Sequence, residues 1–177
     1  MRIFKQWRDD ERGLAAMEAA MIFPILAIML VGSFDLGYGI LASQKTVRAS
    51  QIVADLVSRD SQIDSSGLDE AVWAGELALE PFDADSFGVD IVSISFDADE
   101  EAQIEWRETR NMAPNADVLV SVLPLASANG GVMVITVQYD YEPIFAGFSL
   151  GGMSIGQIPM REIAFTRGRK SAVVDRI

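Results

Sequence analysis

The chain has 177 residues and an acidic balance, with 14 Lys and Arg against 26 Asp and Glu, a net charge of −12, and neither cysteine nor histidine. Such a surface repels nucleic acid and anionic headgroups, so neither is an expected partner. The missing cysteine and histidine exclude disulfides and thiol chemistry, and deprive zinc and most transition metals of their preferred ligands.

Residues 1–12 carry Arg2, Lys5, Arg8 and Arg12. The positive-inside tendency keeps such a segment in the cytoplasm, and the neighbouring Asp9, Asp10 and Glu11 count little in that rule. Residues 14–42 follow with only two charges, Glu18 and Asp35. As a helix this stretch is about 43 Å long at about 1.5 Å per residue, whereas a hydrocarbon core of about 30 Å needs only about 20 residues. The reading is a single membrane span that projects beyond the bilayer, with everything after Ala42 outside, in a periplasm-like space. A cleaved secretory signal fits worse, because the apolar stretch is too long and no clean small-x-small site follows it.

Two acids in such a helix need a reason. Glu18 and Asp35 stand about 26 Å apart along a helix, so each can sit near one membrane face. An intramembrane carboxylate costs about a few kcal/mol and is by default a functional candidate. For Asp35 a plain boundary position, reaching into the headgroups, is equally open. Pro24 removes the backbone hydrogen bond to the carbonyl of Ala20 and should kink or loosen the span. Ser33 and Gly37 form a small-xxx-small pair that would let another helix approach.

Beyond Ala42 about 135 residues remain, enough for one compact domain. They hold 10 Lys and Arg against 21 Asp and Glu. Residues 43–59 space Val47, Ile52, Val53, Leu56 and Val57 at helical intervals, continuing the first helix or following it after a bend. Residues 60–66 are polar and turn-like. A second helix is expected over 67–79, with Leu68, Val72 and Leu79 inward and Pro81 ending it. Residues 89–96 read as a strand with Val92, Ile94 and Phe96 on one face. An acidic turn over 97–101 leads to Ile104 and Trp106, which alternate as in a partner strand. Residues 117–125 fit a strand or a short helix. Asn129-Gly130-Gly131 is a firm turn signal. After it Met133, Ile135, Val137, Tyr139 and Tyr141 alternate with mostly polar residues, the clearest strand in the chain. Residues 146–156 are glycine-rich and loop-like.

Two apparent chemical motifs weaken on inspection. Gly147-Phe148-Ser149-Leu150-Gly151 matches G-x-S-x-G, but no histidine exists to activate Ser149. Asp97, Asp99, Glu101, Glu105 and Glu108 fall at ligand positions of a calcium-loop template, with Ile104 at its apolar position. Ala102 stands where that template needs glycine, and ligands along a strand alternate faces. Asp97, Asp99, Glu101 and Glu108 are thus a weak calcium candidate, and a solvated acidic hairpin is the better reading. No cofactor is expected. Carboxylates could do acid–base work, but no pair of them is set apart by apolar surroundings, so the chain is not expected to be an enzyme.

Gly13, then Leu14-Ala15-Ala16-Met17, then Glu18, resembles the processing site of type IV-like prepilins. In those a membrane peptidase cuts after the glycine, and the glutamate becomes the fifth residue of the mature chain. With Pro24 in the span and Asp35-Leu36-Gly37 after it, the pattern is similar to the TadE-like minor pseudopilins of tight-adherence (Tad/Flp) pilus systems. More loosely, Trp106, the stretch VITVQYDYEP over 134–143, and Phe165-Thr166-Arg167 resemble later parts of that family. Ala19 departs from it, since an aromatic usually follows the glutamate. Cutting after Gly13 would create a cationic α-amine at Leu14, and two such charges in apolar surroundings are tolerable only when paired. The amine of one subunit meeting Glu18 of a neighbour would register helices during assembly.

The expected fold class is α+β: a long N-terminal transmembrane helix followed by a small pilin-like domain with an antiparallel sheet packed on helices. The expected segments are a basic cytoplasmic leader over 1–13, a span over 14–42 and a periplasmic domain over 43–177. The resemblance implies a minor pseudopilin needed for Tad (Flp) pilus assembly, anchored in a bacterial inner membrane. Its partners would be other pilins or pseudopilins, assembly-platform proteins and a prepilin peptidase. Gly13 and Leu14 would serve processing, Glu18 recognition and assembly, and Pro24 helix shape. Entry into the filament, a place at its tip and retention in the membrane all fit this reading. An alternative is an uncleaved bitopic protein whose outer domain binds a ligand or partner. A cytoplasmic segment of about a dozen residues is short for a signalling domain, which favours the pilin reading.

Overall fold

A computed structural model describes residues 12–144, 146, 149–150, 153–154 and 156–177. One helix, α1 (Arg12–Val57), takes up 46 residues and runs on through Pro24. Its two halves live in different surroundings. Up to Leu30 its large side chains stand exposed on every side, Met21 and Phe23 among them, whereas Ala42, Thr46, Ala49, Ser50, Val53, Ala54 and Val57 are buried. These buried positions recur at three- and four-residue spacing, one stripe of a helix, and most are small. The stripe brings α1 close to a second helix, α2 (Ser65–Ala78). A side chain at Gly75 would begin 2.7 Å from Val53 Cγ2, so only glycine permits the approach. The buried hydroxyls of Thr46 and Ser50 donate to the carbonyls of Ala42 and Val47 in their own helix, which avoids the cost of an orphaned polar group.

Helix α2 begins two residues earlier than the sequence pattern placed it. The reason is Asp64, whose carboxylate accepts from the N–H of Gly67 at 2.8 Å and from the Ser66 hydroxyl. Asp64 thereby caps the first turn. These bonds, the one from Gly67 foremost, lower its pKa. Leu68, Val72 and Leu79 point inward as expected.

The domain that follows α1 is built on a four-stranded antiparallel sheet. Its strands are β2 (Gly88–Phe96), β3 (Ala102–Arg110), β4 (Gly131–Tyr141) and β7 (Ile158–Thr166), in the order β3-β2-β4-β7. The short β1 (Gln62–Ile63) pairs in parallel with β8 (Asp175–Arg176). A two-residue pair, β5 (Ser149–Leu150) with β6 (Met153–Ser154), lies in the stretch expected to be loop. The fold is therefore α+β, a long apolar helix leading into an antiparallel sheet with helices.

Central strands β2 and β4 are covered on both faces. Val89, Ile91, Met133, Ile135, Val137, Tyr139 and Tyr141 face α1 and α2. Val92, Ile94, Phe96, Val132 and Val134 form a smaller core with Val118 and Val122. The last two belong to α3 (Val118–Val122), which a 3₁₀ turn, Leu123–Leu125, extends. That resolves the ambiguous 117–125 segment as helix. It also explains why β4 is more apolar than simple alternation requires: Val132 and Val134 serve a second core.

One expectation is corrected. Ile104 and Trp106 do not share a face of β3. Ser93 pairs with Trp106 and Ile94 with Ile104, leaving Glu105 as a bulge, and such an extra residue reverses the side-chain alternation. Ile104 is left exposed, while the Trp106 indole N–H donates to the carbonyl of Val174 at 2.6 Å. Ser93 Oγ donates to the same carbonyl. The C-terminal segment is thus strapped across the sheet.

Asp90 of β2 is fully buried. Its carboxylate accepts from Arg107 Nε at 2.8 Å, Thr109 Oγ1 at 2.7 Å and the Asn115 N–H at 2.9 Å, and forms an ion pair with Arg107. Arg107 also donates to the Asn115 carbonyl, and Asn115 Nδ2 to Thr136 Oγ1. Burial pushes the Asp90 pKa up, but the bonds from Arg107, Asn115 and Thr109 outweigh it, and the net shift is downward. The loop between β3 and α3 is held to β2 by this carboxylate.

Candidate functional site

Residues 1–11, most of the expected leader, lie outside the described residues, as do Gly147, Phe148 and Gly151 of the G-x-S-x-G match. Gly13, Leu14, Glu18 and Pro24 all lie on the exposed half of α1. A Cβ added at Gly13 would meet nothing within 4 Å. Among the described residues, then, the fold itself makes no demand for glycine there, and any such demand comes from outside it. Gly37 is equally open, while Ser33 Oγ donates back to the Leu30 carbonyl.

The acids of the calcium candidate are not brought together. Asp97 turns its carboxylate onto the β2–β3 turn, accepting from the N–H of Asp99 at 2.9 Å and of Glu101 at 2.8 Å. Glu105 accepts from Ser95 Oγ. Glu108 lies opposite Ile91, six positions along β3 from its first residue, Ala102, and pairs with Arg110 and Arg176. Among the described residues no three acidic side chains are grouped as a metal ion would require.

The joint between α1 and the domain was not foreseen. Asp35 does not simply face outward. Its Oδ1 accepts from Tyr141 Oη at 2.9 Å and from the N–H of Ile144 at 3.0 Å. Beside it Phe82 stands edge-on to both Tyr38 and Tyr141, with ring centroids 6.1 Å apart in each pair. Burial first, and then the bond to Asp35, push the Tyr141 hydroxyl up to about 12, so it remains a proton donor at neutral pH. No local sequence signal reports this joint, because the partners are more than a hundred positions apart. The domain takes hold of α1 from Asp35 onward, seven positions before Ala42. Tyr141→Phe removes a hydrogen bond to a charged acceptor, which contributes about 1.5–3 kcal/mol. Calorimetry of the full chain in detergent should show a lower melting temperature, and an unchanged one would mean the bond carries no weight.

Next to the joint runs an apolar groove of about 810 Å³, lined by α1 from Met29 to Gln44 and by Tyr141, Pro143, Ile158 and Met160. Small residues, Gly32, Ser33, Gly39 and Ser43, form much of its helical wall.

Helix α1 is long and apolar enough to cross a membrane, and its most apolar window is wholly unburied by the rest of the chain. That fits a membrane-anchored protein. No curated protein and no solved structure matches the chain. The family model described as TadE-like protein matches residues 13–55. That match begins at Gly13 and takes in Glu18, Pro24 and Asp35, so the chain is similar to that family over its N-terminal helix.

Proposed function

We propose that the protein is a minor pseudopilin that assembles or initiates a Tad (Flp) pilus, with no catalytic role. Before assembly it sits in the inner membrane as a single-pass protein, its basic leader in the cytoplasm and its α+β domain in the periplasm. A prepilin peptidase cuts between Gly13 and Leu14. The freed amine of one subunit then meets Glu18 of a neighbour, and other pilins and the assembly platform are the partners. The observation that carries the reading is the TadE-like match, which starts at Gly13. The open surroundings of Gly13 support it: a glycine that the fold does not need is one that a peptidase can need, for close backbone approach. The exposed apolar surface around Glu18 supports the assembly step, since a carboxylate in a membrane span calls for a partner.

Two variants test it. Gly13→Val should stay full length in the membrane, whereas the wild-type chain should begin at Leu14. Glu18→Ala makes the span more apolar, so insertion should persist or improve, but pili should be lost even where cleavage continues. N-terminal mass analysis beside a pilus assay reads both. A mature N-terminus at Met1, together with normal pili in the Glu18→Ala strain, would refute the proposal.

A further inference from the structure

The lower end of the outer domain, around the Asp35 joint, is apolar where a water-facing surface would be charged. Leu36 is 73% exposed and Ile144 is 62% exposed, and Ile40 and Ile158 are exposed beside them at the rim of the groove. On α1 no charge stands between Asp35 and Lys45, and none stands between Glu142 and Arg161 in the segment that joins β4 to β7. The bond from the Ile144 N–H to Asp35 sets Ile144 at the level of Asp35. With Glu18 at the inner face, a hydrocarbon core of about 30 Å extends about 20 residues along the helix. That carries it past Asp35. A carboxylate at such a depth must find its donors inside the protein, and Asp35 finds them in Tyr141 and Ile144.

We propose that this lower end is embedded in the outer leaflet. Ile144, Ile158, Leu36 and Ile40 lie among acyl chains, which also fill the groove beside α1, and Glu142 and Arg161 mark the level of the headgroups. The lipid-facing surface of the span thus continues without a break onto the domain. The choice of lipid as occupant follows from that continuity, because the groove starts at Met29, inside the uncharged part of the helix.

The proposal rests on the reading of α1 as a membrane span, and one experiment separates the two. The chain has no cysteine, so Ile25→Cys, Ile144→Cys, Ile158→Cys and Val120→Cys each place a single environment-sensitive fluorophore. Val120 is exposed on α3, away from the groove. The full chain is reconstituted in phosphatidylcholine vesicles, with or without lipid spin-labelled near the carbonyl end of the acyl chain. Probes at 25, 144 and 158 should lose most of their emission to the labelled lipid and resist iodide. The probe at 120 should do the opposite. Iodide quenching at 144 and 158, with position 25 still quenched by lipid, overturns the embedding alone. Iodide quenching at 25 overturns the span and the embedding with it. Protection of 144 and 158 from both quenchers, relieved as lipid is added in excess, would mean that a second copy fills the groove and also overturns the proposal.

Discussion

Asp90→Ala is expected to destabilise the sheet domain by about 3–5 kcal/mol, a range set by removing one partner of a buried ion pair. The cause is specific. Arg107 loses its bidentate partner, Thr109 and the Asn115 N–H lose their acceptor, and the loop before α3 is released from β2. Because whole-domain stability is only about 5–15 kcal/mol, the variant should be unfolded in a large fraction of molecules or melt far below wild type. Circular dichroism melts of the full chain in detergent read this directly. The same group has a pH signature. Its pKa is lowered by folding from 3.8, so its stabilisation is present above that value and is lost as pH falls through the lower, folded pKa. Asp90→Asn preserves the volume but not the charge. It should melt lower than wild type at neutral pH, with the gap narrowing on acidification. A gap independent of pH would show that the carboxylate's charge is irrelevant.

The second large effect is expected at Gly131, the first residue of β4, where the C-terminal strap crosses the sheet. A Cβ there would collide with the carbonyl of Ala172 and stand 3.0 Å from Val173 Cγ2. The carbonyl is backbone and cannot rotate away, so the strap itself must move. Gly131→Ala is expected to cost about 1–3 kcal/mol, as overpacking does, and Gly131→Val more. The displaced strap should also give up the bonds from Trp106 and Ser93 to Val174. Limited proteolysis should then release the segment after Arg167 faster than in wild type. A Gly131→Val variant with unchanged melting and unchanged proteolysis would mean that the strap does not cross β4 there.

These elements also show what the sequence made legible. Helix α2 and strands β2 and β4 announce themselves, because each buries side chains at its own period between clear punctuation. Asn129, at φ 54° before β4, is such a mark. Strand β7 went unnoticed for a physical reason. It is an edge strand with half-exposed faces, so Met160, Glu162 and Ala164 alternate with Arg161, Ile163 and Phe165 and neither set is cleanly apolar. The bulge at Glu105 was equally hidden, since register belongs to a pair of strands and not to one of them. The same divide runs through the site. Gly13, Glu18 and Pro24 form a local motif on one helix and could be read in order. The joint of Asp35, Tyr141 and Ile144 exists only once the sheet has brought the end of β4 back to the exposed half of α1.

That joint, and the unbroken helix on which it sits, turn the domain into a pointer. A helix advances about 100° per residue, so Glu18, seventeen positions before Asp35, faces about 100° away from it around the axis. Because Asp35 is held by Tyr141 and Ile144, the azimuth of Glu18 is set by the folded domain at the other end of the helix. In the proposed assembly a neighbour would have to approach that carboxylate from this one side. Lengthening the helix by a single residue between the two acids would swing that bearing by about a quarter of a circle.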